Sequence, residues 1–92
     1  MHIYLACFDI SDDKNRDRAG KTLLAYGERV QKSVFEIALR QPQELQAIRA
    51  ELLPLLEAGD DLRFYALCAD CRRQSLDIHG TPLAQFPAAV VV

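Results

Sequence analysis

The sequence predicts a single α+β domain of βαββαβ order, and three observations carry that prediction. A strand-like run that is apolar on both faces opens the chain. Two segments with helical spacing alternate with further strand-like runs. The 92 residues leave room for one core and no second domain.

Residues 3–10 (IYLACFDI) place Ile3, Leu5 and Cys7 on one face and Tyr4, Ala6 and Phe8 on the other. A strand with that pattern is buried on both sides. Ser11, Asp12 and Asp13 then supply helix-capping oxygens and negative charge at a helix start. A helix from about Asp13 to Tyr26 follows, with Ala19, Leu23 and Tyr26 inward, Gly20 flanking them and Gly27 as its stop. Arg29 to Leu39 reads as strand but slips phase: Val30 and Val34 share one parity, and Phe35, Ile37 and Leu39 the other. A bulge near Ser33 reconciles them. Pro42 fits the first turn of a second helix carrying Leu45, Ile48, Leu52 and Leu55, which Pro54 shortens near its end. Leu62–Cys68 (LRFYALC) is another apolar strand, and Ser75–His79, with Leu76 and Ile78 inward, reads as an edge strand.

The fold expected for these elements is the ferredoxin-like βαββαβ plan, an antiparallel sheet with the first and third strands central. Right-handed crossovers put both helices on one face of that sheet. Tyr4, Ala6 and Phe8, or their opposite set, then need another cover, and a second copy of the chain supplies it as a two-fold dimer. A short β-prone tail spans about residues 81–92 and ends in Val90, Val91 and Val92. It is expected to add to a sheet edge of the partner.

Half the residues are hydrophobic and 26% are charged, which excludes a disordered chain. No run nears the roughly 18–20 apolar residues of a membrane span, and no signal-peptide plan opens the chain. The expected location is the cytoplasm. Net charge is −2, yet residues 1–41 hold seven Lys and Arg against six acidic groups, and residues 42–92 hold four against seven. Four of those cations fall between Lys14 and Lys21, and phosphate binding follows local potential rather than net charge. Three cysteines argue against a disulfide framework.

Asp9 is the most informative residue: a carboxylate ending a buried central strand. It either begins the turn, capping an amide or pairing with Arg16, or it ligates a hard cation. One carboxylate binds Mg²⁺ poorly, whereas two copies meeting across a dimer axis hold it with waters and a substrate phosphate. Lys14, Arg18 and Lys21 share one sector of the helical wheel, a solvated face or a phosphate-binding one. Arg16 lies at the end of the helix nearest Asp9, where a guanidinium pairs with a carboxylate or meets a phosphate. Arg29 begins the next strand at the same edge. Phe8 and Phe35 are core aromatics, or platforms for base stacking. Cys68 and Cys71 form a CxxC with His79 and His2 as further ligand candidates. A lone CxxC is half a zinc site, and a redox CxxC should open a helix, whereas this one ends a strand.

The block YLACFDISDD (Tyr4–Asp13), followed by Arg16 and Arg18, and the block YGERVQKSVFE (Tyr26–Glu36) resemble the CRISPR-associated (Cas) small endoribonuclease family. That family is the dimeric partner of the spacer integrase in CRISPR adaptation. LRFYAL fits its third strand, so the resemblance covers the chain. It implies a ferredoxin-like homodimer in which Asp9 is the metal ligand and catalytic carboxylate, with Mg²⁺ or Mn²⁺. Arg16, Arg18, Lys21 and Arg29 correspond to nucleic-acid-binding positions, with Phe8 and Phe35 in support. It implies cleavage of single-stranded RNA or of double-stranded DNA, and a partnership with the integrase in spacer acquisition. The chain departs from the family in having Phe8 where Tyr is common, and the CxxC lies outside the family pattern.

A second reading is a non-catalytic DNA-binding dimer that spaces the integrase along a DNA fragment, which needs the basic surface but not Asp9. A third is an interaction domain, or a zinc or redox protein built on the CxxC.

Overall fold

The computed structural model describes residues 1–83. Four antiparallel strands form one sheet: β1 (His2–Asp9), β2 (Gly27–Gln31), β3 (Val34–Leu39) and β4 (Asp61–Leu67). Their order is β2-β3-β1-β4: β1 is central as expected, but the other central strand is Val34–Leu39, and the LRFYAL strand expected to be central lies at an edge. The helices are α1 (Asp13–Leu24), α2 (Gln43–Leu52) and the short α3 (Ala69–Gln74).

Local chemistry fixes the boundaries. Asp12 caps α1 by accepting from the Asn15 amide at 2.9 Å, filling one orphan donor of the first turn. Pro42 is the N-cap of α2, one position ahead of the expected first turn. The Glu44 carboxylate reaches back to the amides of Arg40 and Gln41 at 2.8 and 2.9 Å. Pro54 does shorten α2, which ends at Leu52 in a single 3₁₀ turn, Leu53–Leu55.

α1 and α2 cover one face of the sheet. Ala6 and Phe8 of β1, Phe35, Ile37 and Leu39 of β3, Ala19 and Leu23 of α1, and Ile48 and Leu52 of α2 form the core. The helix-covered set on β1 is therefore Tyr4, Ala6 and Phe8, and strand alternation puts Ile3, Leu5, Cys7 and Asp9 on the open face. The register aligns that face: Cys7 opposes Val34 and Arg63, Leu5 opposes Glu36 and Tyr65, and Asp9 opposes Asp61.

Four expectations need correction. Arg29–Leu39 is not one bulged strand but a hairpin, reversing at Lys32–Ser33. The parity change between Val34 and Phe35 marks the start of a new strand, and the bulge lies earlier, between Arg29 and Gln31. The hairpin makes LRFYAL the fourth strand, not the third. α1 stops at Leu24, and Gly27 opens β2. Ser75–His79 is no strand beyond one bridge, Leu76 to Pro82, and Ile78 is 94% exposed. Asp77 causes this: its carboxylate accepts from the amides of His79 and Thr81 at 2.8 and 3.0 Å, closing a turn instead. Of the β tail expected over about residues 81–92, residues 84–92 lie outside the described residues.

Candidate active site

Asp9 ends β1 as an exposed residue on the open face. Among the described residues no hydrogen bond or ion pair engages its carboxylate. The alternatives of capping an amide or pairing with Arg16 are thus not taken up. Across the ladder it faces Asp61, and like charges directly opposite repel. Asp61 is compensated by Arg63, whose Nε donates to it at 2.7 Å while Nη1 donates to the Tyr65 hydroxyl at 3.3 Å.

Around this corner the chain is tied down. Ser11, two residues beyond Asp9, donates its amide and hydroxyl to Asp60 Oδ1 at 3.1 and 3.0 Å. Glu57 donates its amide to Asp60 Oδ2 at 2.9 Å. The Glu57 amide first, and then that of Ser11, hold the Asp60 carboxyl below its ordinary range. One carboxylate thereby locks the end of β1 to the start of β4.

The predicted cations take different places. Arg16 donates Nη1 to the Ile10 carbonyl at 2.9 Å and pairs with Asp13, so it braces the β1–α1 turn next to Asp9. Arg18 and Lys21 are exposed and line a shallow groove with Thr22, Glu51 and Leu55. Lys21 also lies 4.0 Å from Asp17. These two belong to the helical layer, and Asp9 belongs to the opposite face of the sheet. Arg29 lies over the Phe35 ring, 5.0 Å from its centroid, on the outer strand, two strand spacings or about 10 Å from β1. One chain therefore brings Arg16 to the Asp9 corner and leaves Arg18, Lys21 and Arg29 apart from it.

Phe8 and Phe35 are core side chains, with ring centroids 5.9 Å apart and planes at 18°. They support the site from below, stacking under the strand that carries Asp9. The Phe-for-Tyr departure accordingly falls on the buried face and not beside the carboxylate.

Sequence reasoning passed over Asp61, Arg63 and Asp60, because strand register alone brings them to Asp9. It also passed over Arg72, which donates Nη2 to Glu36 Oε1 at 3.2 Å with both side chains largely buried (13% and 14% exposed). That pair lies on the open face beside Leu5. Among the described residues no three His, Cys, Asp or Glu side chains group to hold a metal within one chain.

Residues 1–75 match the family model described as CRISPR associated protein Cas2. The chain belongs to that family. A Cas2 endoribonuclease of Chloroflexus aurantiacus is 48% identical over 73 residues, 77% of each chain. Another, from Synechocystis, is 36% identical over the full length of both. A third, from Rhodospirillum rubrum, is 40% identical over 88% of this chain, which spans 65% of that relative's length. Among solved structures, a chain of a partial Cas6-RT-Cas1–Cas2 complex superposes with a TM-score of 0.84 at 38% identity, covering all of both chains. Streptococcus pyogenes Cas2 gives 0.73 at 28% identity, covering 83% of this chain and 98% of the other. The ferredoxin-like Cas2 fold is thereby shared along the described sheet and helices.

Proposed function

We propose that this Cas2 chain is a metal-dependent endonuclease, acting on RNA or on duplex DNA as a homodimer in the cytoplasm. The observation that carries the reading is the Asp9 carboxylate, held exposed at a braced strand end on the open sheet face with no partner among the described residues. Its oxygens suit a hard cation, Mg²⁺ or Mn²⁺, which prefers carboxylate and water ligands. One carboxylate is too few, so the Asp9 of a second copy completes the donor set when the open faces meet. When bound, the cation supplies charge neutralisation at the scissile phosphate and a more acidic water.

The protein's own residues do the rest. Arg16 and Asp60 fix the strand end, so Asp9 keeps its position without reorganisation. Arg18 and Lys21 hold the sugar–phosphate backbone without reading bases. Arg29 adds positive charge at the outer strand.

Cleavage of labelled RNA and duplex DNA in Mg²⁺, Mn²⁺ or chelator, wild type against Asp9→Ala, tests this. The variant should lose at least about 100-fold, given that removing several kcal/mol of transition-state stabilisation costs tenfold per 1.36 kcal/mol. A dimeric wild type that cuts neither substrate in any metal would end the nuclease reading.

A second reading is favoured by the exposed Arg18 and Lys21 on the layer away from Asp9. In it the dimer is a DNA-binding spacer for the integrase in spacer acquisition, in keeping with the Cas1–Cas2 complex that the fold matches so closely. Spacer acquisition that survives Asp9→Ala while cleavage is lost would favour it.

A further inference from the structure

The nuclease reading leaves one motif unused, the CxxC of Cys68 and Cys71. Sequence reasoning set it aside because it ends a strand, but the structure shows that it does two things at once. β4 ends at Leu67 and Cys68 is the N-cap of α3. Its backbone is extended (φ −73°, ψ 162°), and its Sγ accepts from the Cys71 amide at 3.3 Å. Both residues are exposed, within reach of a solute.

We infer that Cys68 and Cys71 form a redox-active dithiol that closes reversibly to a disulfide by exchange with small-molecule disulfides such as oxidised glutathione.

Geometry supports closure. A disulfide needs Cβ atoms about 3.5–4.5 Å apart, whereas neighbours three apart on a helix lie about 5–6 Å apart. The extended Cys68 backbone leaves the first turn of α3 free to tighten by that difference. α3 is anchored on both sides of the motif, by β4 before it and by the Arg72–Glu36 pair after it. The remaining cysteine does not compete. Cys7 opposes Arg63, four positions along the ladder from the Ile3–Leu67 pair next to Cys68, or about 13 Å at strand rise.

The two thiols are also differentiated, which exchange chemistry requires. The Cys71 amide, foremost, favours the Cys68 thiolate and lowers its pKa, against a smaller opposing effect of the Asp70 charge. Cys71 is pushed the other way, first by the Cys68 side chain beside it. Asp70 itself pairs with Arg73. The sequence of steps follows. The Cys68 thiolate attacks one sulfur of the small disulfide, forming a mixed disulfide and expelling one thiolate. Cys71 then loses its proton and attacks Cys68 Sγ, forming the Cys68–Cys71 bond and expelling the second thiolate. One small disulfide is reduced to two thiols as the protein dithiol loses two electrons and two protons.

The test equilibrates the full chain over a series of reduced and oxidised glutathione ratios, quenches with acid, blocks free thiols and measures intact mass and linked peptides. Wild type should convert to a form two hydrogens lighter, with Cys68 joined to Cys71. Cys71→Ser should instead accumulate a glutathione adduct on Cys68, and Cys68→Ser should accumulate much less on Cys71. Iodoacetamide at pH 7 should label Cys68 faster than Cys71, because the thiolate is the reacting form. The inference is overturned if oxidised glutathione yields only separate adducts or none, or if Cys71 labels as fast as Cys68. None of these readouts depends on nuclease activity.

Discussion

Gly27 offers a sharp check on the hairpin that the sequence did not reveal. It opens β2 opposite Ile37, and a Cβ built there would lie 1.9 Å from the Glu36 carbonyl oxygen and 2.6 Å from the Ile37 Cα. Carbon contacts are comfortable near 3.5–4.0 Å, so Gly27→Ala must push β2 away from β3 by well over an ångström. Both atoms are backbone, so no side chain can swing aside. Overpacking of this kind costs about 1–3 kcal/mol, and each ladder hydrogen bond lost adds about 1 kcal/mol. A total near 3–4 kcal/mol is a large share of the 5–15 kcal/mol that holds a typical domain. Gly20→Ala is the matched control. There the Cβ would meet Arg29 Nη2 at 2.9 Å and the Phe35 ring at 3.5 Å. The guanidinium can move, giving up about 0.5–1 kcal/mol of cation–π attraction, while alanine returns about 0.5–1 kcal/mol of helix propensity. Urea unfolding of both variants at one fixed protein concentration separates the cases. A Gly27→Ala midpoint matching wild type, or a Gly20→Ala protein as damaged as Gly27→Ala, would refute the strand pairing and α1 packing described above.

Two further outcomes follow from the same coordinates. The folded-state pKa of Asp60 is depressed by the amides of Glu57 and Ser11. Its contribution is therefore present above the ordinary value of 3.8 and is lost as pH falls through the lower folded value. Asp60→Asn lacks that titration, so the Tm gap to wild type should be widest near neutrality and close below pH 3.8; a gap constant with pH would contradict the clamp. Arg18→Ala combined with Lys21→Ala should weaken duplex binding and lower the salt slope by about 0.9 for each phosphate contact removed. Fluorescence anisotropy at several salt concentrations checks this, and an unchanged slope would take those cations out of the nucleic-acid path.

Much of the architecture was legible because burial writes a period into the chain. IYLACFDI is apolar on both parities because β1 lies between two strands with helices on one side. Ala19 and Leu23, then Ile48 and Leu52, mark the helix faces that meet it. The Arg29–Leu39 hairpin was not legible, since its two-residue reversal at Lys32–Ser33 lacks the Asn-Gly or Asp-Gly signature of such turns. Ser75–His79 alternates like a strand, yet Asp77 captures two amides and turns the chain; a local side-chain bond outweighed the pattern. Asp9 could be singled out because a carboxylate interrupts an apolar strand. Its neighbours Asp61 and Asp60 could not, because only the β1–β4 register brings residues some fifty positions apart to one corner.

The two faces of the sheet give the site its logic. The helix-covered face is complete: Phe8, Phe35 and Leu23 are buried there with no polar group among the core residues. The open face is unfinished, with Leu5 and Val34 half-buried, Tyr65 48% exposed and Asp9 at its corner. A second copy placed on that face would bury its apolar middle and bring another carboxylate toward the first. The groove cations Arg18 and Lys21 would stay outermost on both protomers, because they ride on the far layer. On the proposed function, association and metal binding would be coupled in one geometry, while the outer cations would meet backbone phosphates independently of the metal. On that reading Asp9→Ala would remove the carboxylate and leave the outer cations in place, so cleavage would be lost while DNA binding is kept; loss of both together in a folded dimeric variant would contradict it.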